Sequence, residues 1–339
     1  MFDQIISLEN LFSAWREFKK GKESKLDVQA FALNPENQIY KLHNELKNNC
    51  YRHSDYTTFY VTDPKLRTIN KALVLDRVLH HAIFRVIEAV FEKKFIFDSY
   101  SSRKEKGTHK AVHRLRYFAW KLSKNNTRTV WVLKCDIRKF FDSVDHDILL
   151  NLIEKVIQEK DLIALLEEII ESFNTNQLKN EPRRGIPLGN LTSQLFSNVY
   201  LNALDQFVKR NLKEKYYIRY ADDFVILSTD VKHLEKLIPT LAHFLKKELR
   251  LQLHSDKIVL RKFSQGIDFL GYVVFPYHII LRTKTKKRML RKIRAKKYLL
   301  SGSEEDQQSF KQMVQSYLGI LSHCRGAEIK KEIDKIIDS

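Results

Sequence analysis

The sequence predicts an α+β chain organised around an antiparallel sheet of the split βαβ kind. Three observations predict it: a run of β-formers at 130–137 (VWVLKCDI), a two-strand pattern at 216–227 (YYIRYADDFVIL), and apolar residues at helical 3/4 spacing between and after them. From residue 130 the elements run β-α-α-β-β-α-β. With one extra helix allowed, that is the ferredoxin-like order, an antiparallel sheet backed by helices.

In chain order, Leu8, Leu11, Phe12, Trp15 and Phe18 share one helical face behind a capping Ser7, and the helix stops at Lys20-Gly21. A second helix over 71–94 carries an unbroken stripe (Leu75, Val78, Leu79, Ala82, Ile83, Val86, Ile87, Val90, Phe91) and is expected to be buried along its length. After the strand at 130–137, residues 145–173 read as helical, and another helix follows Thr192 with Leu195, Phe196, Val199, Tyr200 and Leu204. The hairpin at 216–227 leads to a helix over 231–249, with Pro239 as an expected kink, and a short strand at 257–260 (KIVL). Beyond FLGYVVFP (269–276), residues 282–297 hold ten Lys or Arg and no acid, with Met289, Ile293 and Leu300 as a thin apolar face. SGSEEDQQ (301–308) reads as the connector to a final helical stretch.

A chain of 339 residues that is 43% hydrophobic can build a sizeable core. Its 60 Lys and Arg against 41 Asp and Glu give a net charge of +19, which attracts polyanions, nucleic acid first among them; added solubility is the plainer alternative. Cys50, Cys135 and Cys324 form no CxxC pair and are odd in number, which argues against a disulfide framework and a zinc knuckle. The opening MFDQIISLENLF carries acids where a secretory signal needs positive charge, and no window reaches about 18 uninterrupted apolar residues. A soluble, cytoplasmic protein is expected.

Asp136 ends the first strand, and Asp222 and Asp223 sit at the tip of the hairpin. Neighbouring strands in a split βαβ sheet bring these three carboxylates together. Like charges so close repel unless a cation lies among them, and hard oxygen ligands select Mg²⁺, which keeps positions for phosphate oxygens. Taken alone, Asp-Asp also suits an ordinary turn.

The tetrad Tyr220-Ala221-Asp222-Asp223 resembles the YxDD box of reverse transcriptases, and further stretches match that family in order. PKLRTIN (64–70) resembles its triphosphate-binding segment, SYSSRKEKGTHKAV (99–112) its fingers motif, and RKFFDSVDH after Asp136 its first catalytic box. GIPLGNLTSQLFSNVYLNALD (185–205) resembles the template-and-nucleotide box, HSDKIVL the lysine-bearing box, and IDFLGYVVFP the primer-grip hairpin.

The resemblance covers roughly residues 45–300 and implies a right-hand polymerase. Its parts would be an N-terminal helical segment (1–44), fingers (45–129), a palm (130–276) carrying the aspartates, and a basic helical thumb (277–339). It implies an RNA-directed DNA polymerase in which Asp136, the Ile137 carbonyl, Asp222 and Asp223 hold two Mg²⁺ ions, with Mn²⁺ as a substitute. Two ions about 3.5–4 Å apart activate the attacking hydroxyl and stabilise the leaving pyrophosphate. Phe141 falls where the family places a ring beneath the deoxyribose, excluding a 2′-hydroxyl. Lys65 and Arg67 suit a γ-phosphate, Arg67 better because guanidinium binds phosphate bidentately. Lys257 would meet departing pyrophosphate, and Leu188, Gly189 and Gln194 would line the nucleotide pocket. Arg103 and the thumb cations Lys284, Lys286, Lys287, Arg288, Arg291 and Arg294 would contact nucleic-acid phosphates.

The glycine box departs from the general PQGxxxSP pattern, with Leu188 in place of Gln and Gln194 in place of Pro. This form, and DQIISLENLFSAWREFKKGK, are similar to the reverse transcriptases of diversity-generating retroelements, which copy a template RNA into cDNA with errors at adenines. The resemblance implies RNA template, cDNA or primer, and dNTPs as partners, together with a small basic accessory protein and a structured RNA. Alternatives are another bacterial reverse transcriptase (antiphage, retron-like or derived from a group II intron) and a non-catalytic RNA-binding scaffold. The short stretch after the primer-grip motif weighs against an intron maturase with an endonuclease, and the intact aspartates weigh against the scaffold. His80, His81, His109, His113 and His146 lack ligand spacing and suit core or phosphate-facing roles; His323-Cys324 is isolated.

Overall fold

One four-stranded antiparallel sheet, apolar on both faces, organises the molecule. The computed structural model describes residues 1–63, 65–175, 182–299 and 303–338. The chain opens with α1 (Phe2–Ile6), α2 (Leu8–Lys19), α3 (Leu26–Ala32) and α4 (Pro35–Lys47). The Ser7 hydroxyl accepts from the Asn10 N–H to cap α2, and Leu11, Ala14, Trp15 and Phe18 turn inward as the 3/4 spacing requires. A hairpin of β1 (Thr57–Val61) and β2 (Arg67–Lys71) precedes α5 (Val74–Glu92), whose stripe packs mainly against α2 and the later helix α10 (Leu191–Gln206). Between them lie α6 (Thr108–Leu122), β3 (Trp131–Asp136), the single turn α7 (Phe140–Ser143), α8 (His146–Glu154) and α9 (Lys160–Glu171).

The single helix expected over 145–173 is therefore two. No Gly or Pro marks the break. At the break, Glu159, which precedes α9, accepts from the Phe2 N–H (3.1 Å) and pairs with the N-terminal ammonium (3.0 Å), while Ile157 and Leu162 both reach the core.

After α10 come β4 (Tyr217–Tyr220), β5 (Asp223–Ser228), α11 (Val231–Leu249) and β6 (Val259–Lys262). Helix α11 runs unbroken through Pro239, and the predicted strand at 257–260 begins later, because a 3-10 turn occupies Ser255–Lys257. The sheet order is β4-β5-β3-β6, every pair antiparallel, so the two central strands are β3, which ends in Asp136, and β5, which begins with Asp223. This is the split βαβ order the sequence predicts.

Period-two alternation divides the sheet's residues. Leu133 and Cys135 of β3 join Phe224 and Ile226 of β5 in a core with α5, α8, α10 and α11. Val132, Val225 and Leu227 face α6 and a second, three-stranded sheet of β7 (Ile267–Phe269), β8 (Tyr272–Val274) and β9 (Ile279–Leu281). That second core extends into α12 (Thr283–Tyr298), α13 (Glu304–Leu321) and α14 (Ala327–Asp338), through Met289, Leu290, Ile293, Phe310 and Ile333 among others. Leu300, assigned to the apolar face of α12, lies outside the described residues, as do Ser301 and Gly302. The connector expected over 301–308 is shorter than that. Ser303 caps α13 by accepting from the Asp306 N–H, so residues 304–308 are helical.

Candidate active site

The aspartate cluster is built by register. Asp136, the last residue of β3, is the direct partner of Asp223, the first residue of β5, and Asp222 stands in the two-residue turn joining β4 to β5. Ala221, also in that turn, has φ +50°, a left-handed conformation that costs a residue with a Cβ about 1–2 kcal/mol.

What holds this turn is a buried arginine. Arg219 and Asp205 have no solvent exposure and pair through two bonds, Nε–Oδ1 at 2.8 Å and Nη2–Oδ2 at 2.7 Å. The same guanidinium donates to the Ala221 carbonyl (3.2 Å), Asn198 Oδ1 (3.2 Å) and Ser99 Oγ (3.0 Å), and Tyr217 Oη donates to Asp205 (2.7 Å). Sequence reasoning missed this network. Its signal was a charge at an inward register position of each of two apolar elements.

The carboxylates of the aspartate cluster are compensated far less completely. Lys257 Nζ donates to Asp136 Oδ1 at 2.5 Å, and Lys134 Nζ lies 3.5 Å from Asp223 Oδ1. Asp136 thus turns to Lys257 and Asp223 toward Lys134. Among the described residues no three His, Cys, Asp or Glu side chains are gathered as a ready-made metal cage. Burial, then the Asp136 and Asp223 charges, push the Asp222 carboxyl up to about 6, and burial also raises Asp223. Negative charge is left over here, on hard oxygen donors at adjacent backbone positions, so the residues fit a divalent cation. Ile137 fits as well. Bonds from Arg138 N to Gln252 O and from His254 N to Asp136 O flank it, leaving its own carbonyl on the other edge of the strand, toward β5.

Backbone contacts tie the other predicted segments to this centre. The Ile186 N–H donates to the Phe141 carbonyl (2.8 Å), and the Asn70 N–H of β2 donates to the Leu188 carbonyl (3.3 Å). The Phe141 ring is half-buried, edge-on to Phe140 with centroids 5.5 Å apart. Gly189 has φ +119° and would place a Cβ 3.1 Å from Ile69, so both backbone and packing favour glycine there. Leu188 is half-buried, and Gln194 is exposed on the first turns of α10 between buried neighbours. Lys65 and Arg67 are exposed, Arg67 opening β2 opposite Val61.

The profile of the family described as reverse transcriptase (RNA-dependent DNA polymerase) matches residues 61–274, well over half of the chain. The chain belongs to the reverse transcriptase family. It is similar to protein YkfC of Escherichia coli K12, 26% identical with 69% of this chain and 70% of that protein covered. It is also similar to the group II intron-encoded protein LtrA of Lactococcus lactis, 23% identical with 88% of this chain covered. The chain spans 58% of the length of LtrA. A solved telomerase from Candida tropicalis, in complex with a TWJ fragment of telomeric RNA, has a TM-score of 0.53 at 12% identity, over 84% of this chain and 58% of that one. The fold is thus the right-hand polymerase fold, in which the four-stranded sheet is the palm.

Within this reverse transcriptase the predicted nucleic-acid cations divide. Arg103 is a correction. Its guanidinium is nearly buried, donating to Glu92 (2.9 and 2.6 Å) and to the Ile96 and Ser99 carbonyls (both 2.7 Å), so it ties the loop after α5 to that helix rather than facing solvent. On α12, Lys286 and Arg294 pair with Glu332 of α14, and Arg288 and Lys292 reach Asp63 in the β1–β2 loop. Lys284, Lys287 and Arg291 are exposed and make no ion pair among the described residues. His80 and His146 are buried and His81 half-buried, as expected of core residues. His323 is not isolated, since its ring stacks on His109 with centroids 3.6 Å apart and lies 6.0 Å from His113. No helix among the described residues is long and apolar enough to cross a membrane.

Proposed function

We propose that this protein is an RNA-directed DNA polymerase that extends a primer on an RNA template, and that it serves mutagenic retrohoming in a diversity-generating retroelement. The observation that carries the polymerase reading is the register pairing of Asp136 with Asp223, with Asp222 in the adjoining turn. Asp136, the Ile137 carbonyl, Asp222 and Asp223 would hold two divalent ions, Mg²⁺ by the hardness of the donors and Mn²⁺ in its place. Divalent ions bound there would supply Lewis-acid chemistry, activating the primer hydroxyl and stabilising the charge that develops on pyrophosphate.

The chain's own residues supply the rest. Arg67, with Lys65, receives the triphosphate from the β1–β2 hairpin, which the glycine box holds through Leu188. The Phe141 ring bounds the sugar and excludes a 2′-hydroxyl. Lys257, which donates to Asp136, would neutralise charge as pyrophosphate forms. Lys284, Lys287 and Arg291 track the duplex backbone without reading sequence. The fingers occupy 45–129, the palm 130–276 and the thumb 277–339, behind an N-terminal helical segment over 1–44.

Leu188 and Gln194 in the glycine box support the diversity-generating reading. A glutamine at 188 holds the nascent pair by hydrogen bonds and rejects wrong geometry through unpaired groups, whereas leucine only packs. A structured RNA around the template and a small basic accessory protein are the partners this reading entails. A group II intron-derived enzyme is the second reading, favoured by the similarity to LtrA across 88% of the chain.

Primer extension by the purified chain on an RNA template, with cDNA sequencing, tests both levels. Mg²⁺-dependent incorporation of dNTPs is expected, with errors concentrated opposite adenines and reduced by Leu188→Gln. No incorporation rejects the polymerase; uniform fidelity, unchanged by Leu188→Gln, rejects the diversity-generating reading alone.

A further inference from the structure

Helix α6 carries a surface that polymerase chemistry does not use. At its N-terminus the Thr108 hydroxyl donates to Tyr220 Oη (3.2 Å) beside the aspartate turn, but twelve residues further, about 18 Å along the axis, Trp120 and Tyr117 stand 45% and 43% exposed. Across from them is the turn between β8 and β9, with Tyr277 75% exposed. Two cavities of about 500 and 380 Å³ meet here, sharing His113, Arg116 and Tyr277, and form one groove from Asn125 to Arg325.

The groove is built to stay as it is. Arg116 donates to the Pro276 and Tyr277 carbonyls (3.4 and 3.0 Å), fixing the turn while the Tyr277 ring remains in solvent. The loop after α6 has three successive left-handed residues, Lys124, Asn125 and Asn126, and is tied back by Asn125 N to the Trp120 carbonyl (3.0 Å). No Asp or Glu lines either cavity, whereas Arg116 and Arg325 do. Exposed rings on a fixed backbone, along a groove with cations and no acids, match what unpaired bases and phosphates require.

We propose that this groove is a second nucleic-acid site, which binds an unpaired stretch of RNA by stacking bases on Trp120, Tyr117 and Tyr277 and pairing phosphates with Arg325 and the remaining Arg116 donors. It differs from the catalytic cleft in ligand form, taking single strand where the cleft takes a primer–template duplex.

Anisotropy of a labelled oligouridine RNA, measured on the full chain with excess unlabelled primer–template filling the cleft, tests the proposal without requiring nucleotide incorporation. Trp120→Ala with Tyr277→Ala should weaken binding roughly tenfold or more at unchanged melting temperature, and Trp120→Phe with Tyr277→Phe should retain it. As a check that needs no destabilising change, oligouridine should quench indole fluorescence in the wild type and lose that quenching in Trp120→Phe. The proposal is overturned by a smaller loss in the Ala pair, an equal loss in the Phe pair, unchanged quenching in Trp120→Phe, or equal competition by duplex RNA. A dimer that the Ala pair dissociates would also overturn it, showing that a second copy covers the groove.

Discussion

Strand β4 and the turn after it serve two charged centres that treat buried carboxylates in opposite ways. At Asp205 both oxygens are held by a fully buried arginine, with Tyr217 on one of them. Three residues after Arg219, Asp222 faces Asp136 and Asp223, and the cations nearest this group are Lys257 and Lys134, one contact each. The first arrangement is complete without a ligand and fixes the turn; the second is left with surplus negative charge by the same turn. Positioning and surplus charge are thereby separated within one hairpin.

Removing a carboxylate from the second centre should have the largest effect. Asp136→Asn is expected to lower primer extension roughly a thousandfold or more while the chain remains folded, read by single-turnover kinetics and far-UV circular dichroism.

Breaking the first centre should do the reverse. Arg219→Met leaves the Asp205 charge buried with no counterion and only the Tyr217 hydrogen bond, and denaturant unfolding should show a loss of about 3–5 kcal/mol. Adding Asp205→Leu should restore much of it, because the pair is then replaced by apolar packing. Were the single substitution harmless, Arg219 would not be what holds the turn.

The aspartate centre should also respond to pH. The Asp222 carboxyl is raised to about 6, so the folded state binds its proton more readily than the unfolded chain does. Its stabilising contribution is present below about pH 4 and is lost as pH rises through 6. Burial lowers His81 to about 4 and also lowers His146, which act oppositely, losing stability as pH falls below 6.5. The difference between wild type and Asp222→Asn in metal-free buffer isolates the carboxyl. That difference should reach about 1–3 kcal/mol at pH 7 and vanish near pH 4.

The smallest effect lies at the pocket edge. Phe141→Ala should relax ribonucleotide exclusion roughly tenfold or more, with dNTP incorporation within about threefold of wild type, since the ring acts by shape alone. Equal discrimination would make Phe141 a packing residue.

The difference between the centres also marks what was legible in the sequence. The palm was legible because the runs of β-formers at 130–137 and 216–227, and the stripe of α11, are local patterns whose order admits few sheets. The pairing of Asp136 with Asp223 followed from that order. What was hidden depends on contacts distant in sequence. Arg219 bonds Asp205 and Ser99, Glu159 at the break between α8 and α9 meets the first residues of the chain, and His323 meets His109 from the far end of the chain. Arg103 shows the converse. Its motif marks it for nucleic acid, but Glu92, eleven residues earlier, and two carbonyls take its donors. The β1–β2 hairpin, rich in exposed Phe59, Tyr60 and Val61, lacked the alternation that announces a half-buried strand.

The most direct test puts both properties on one residue. For Asp222→Asn at pH 7, thermal melting in metal-free buffer and Mg²⁺-dependent primer extension should diverge, with the melting temperature raised and extension lost. A variant that melts lower than wild type, or that still extends primers, would contradict a centre whose surplus charge is kept for catalysis.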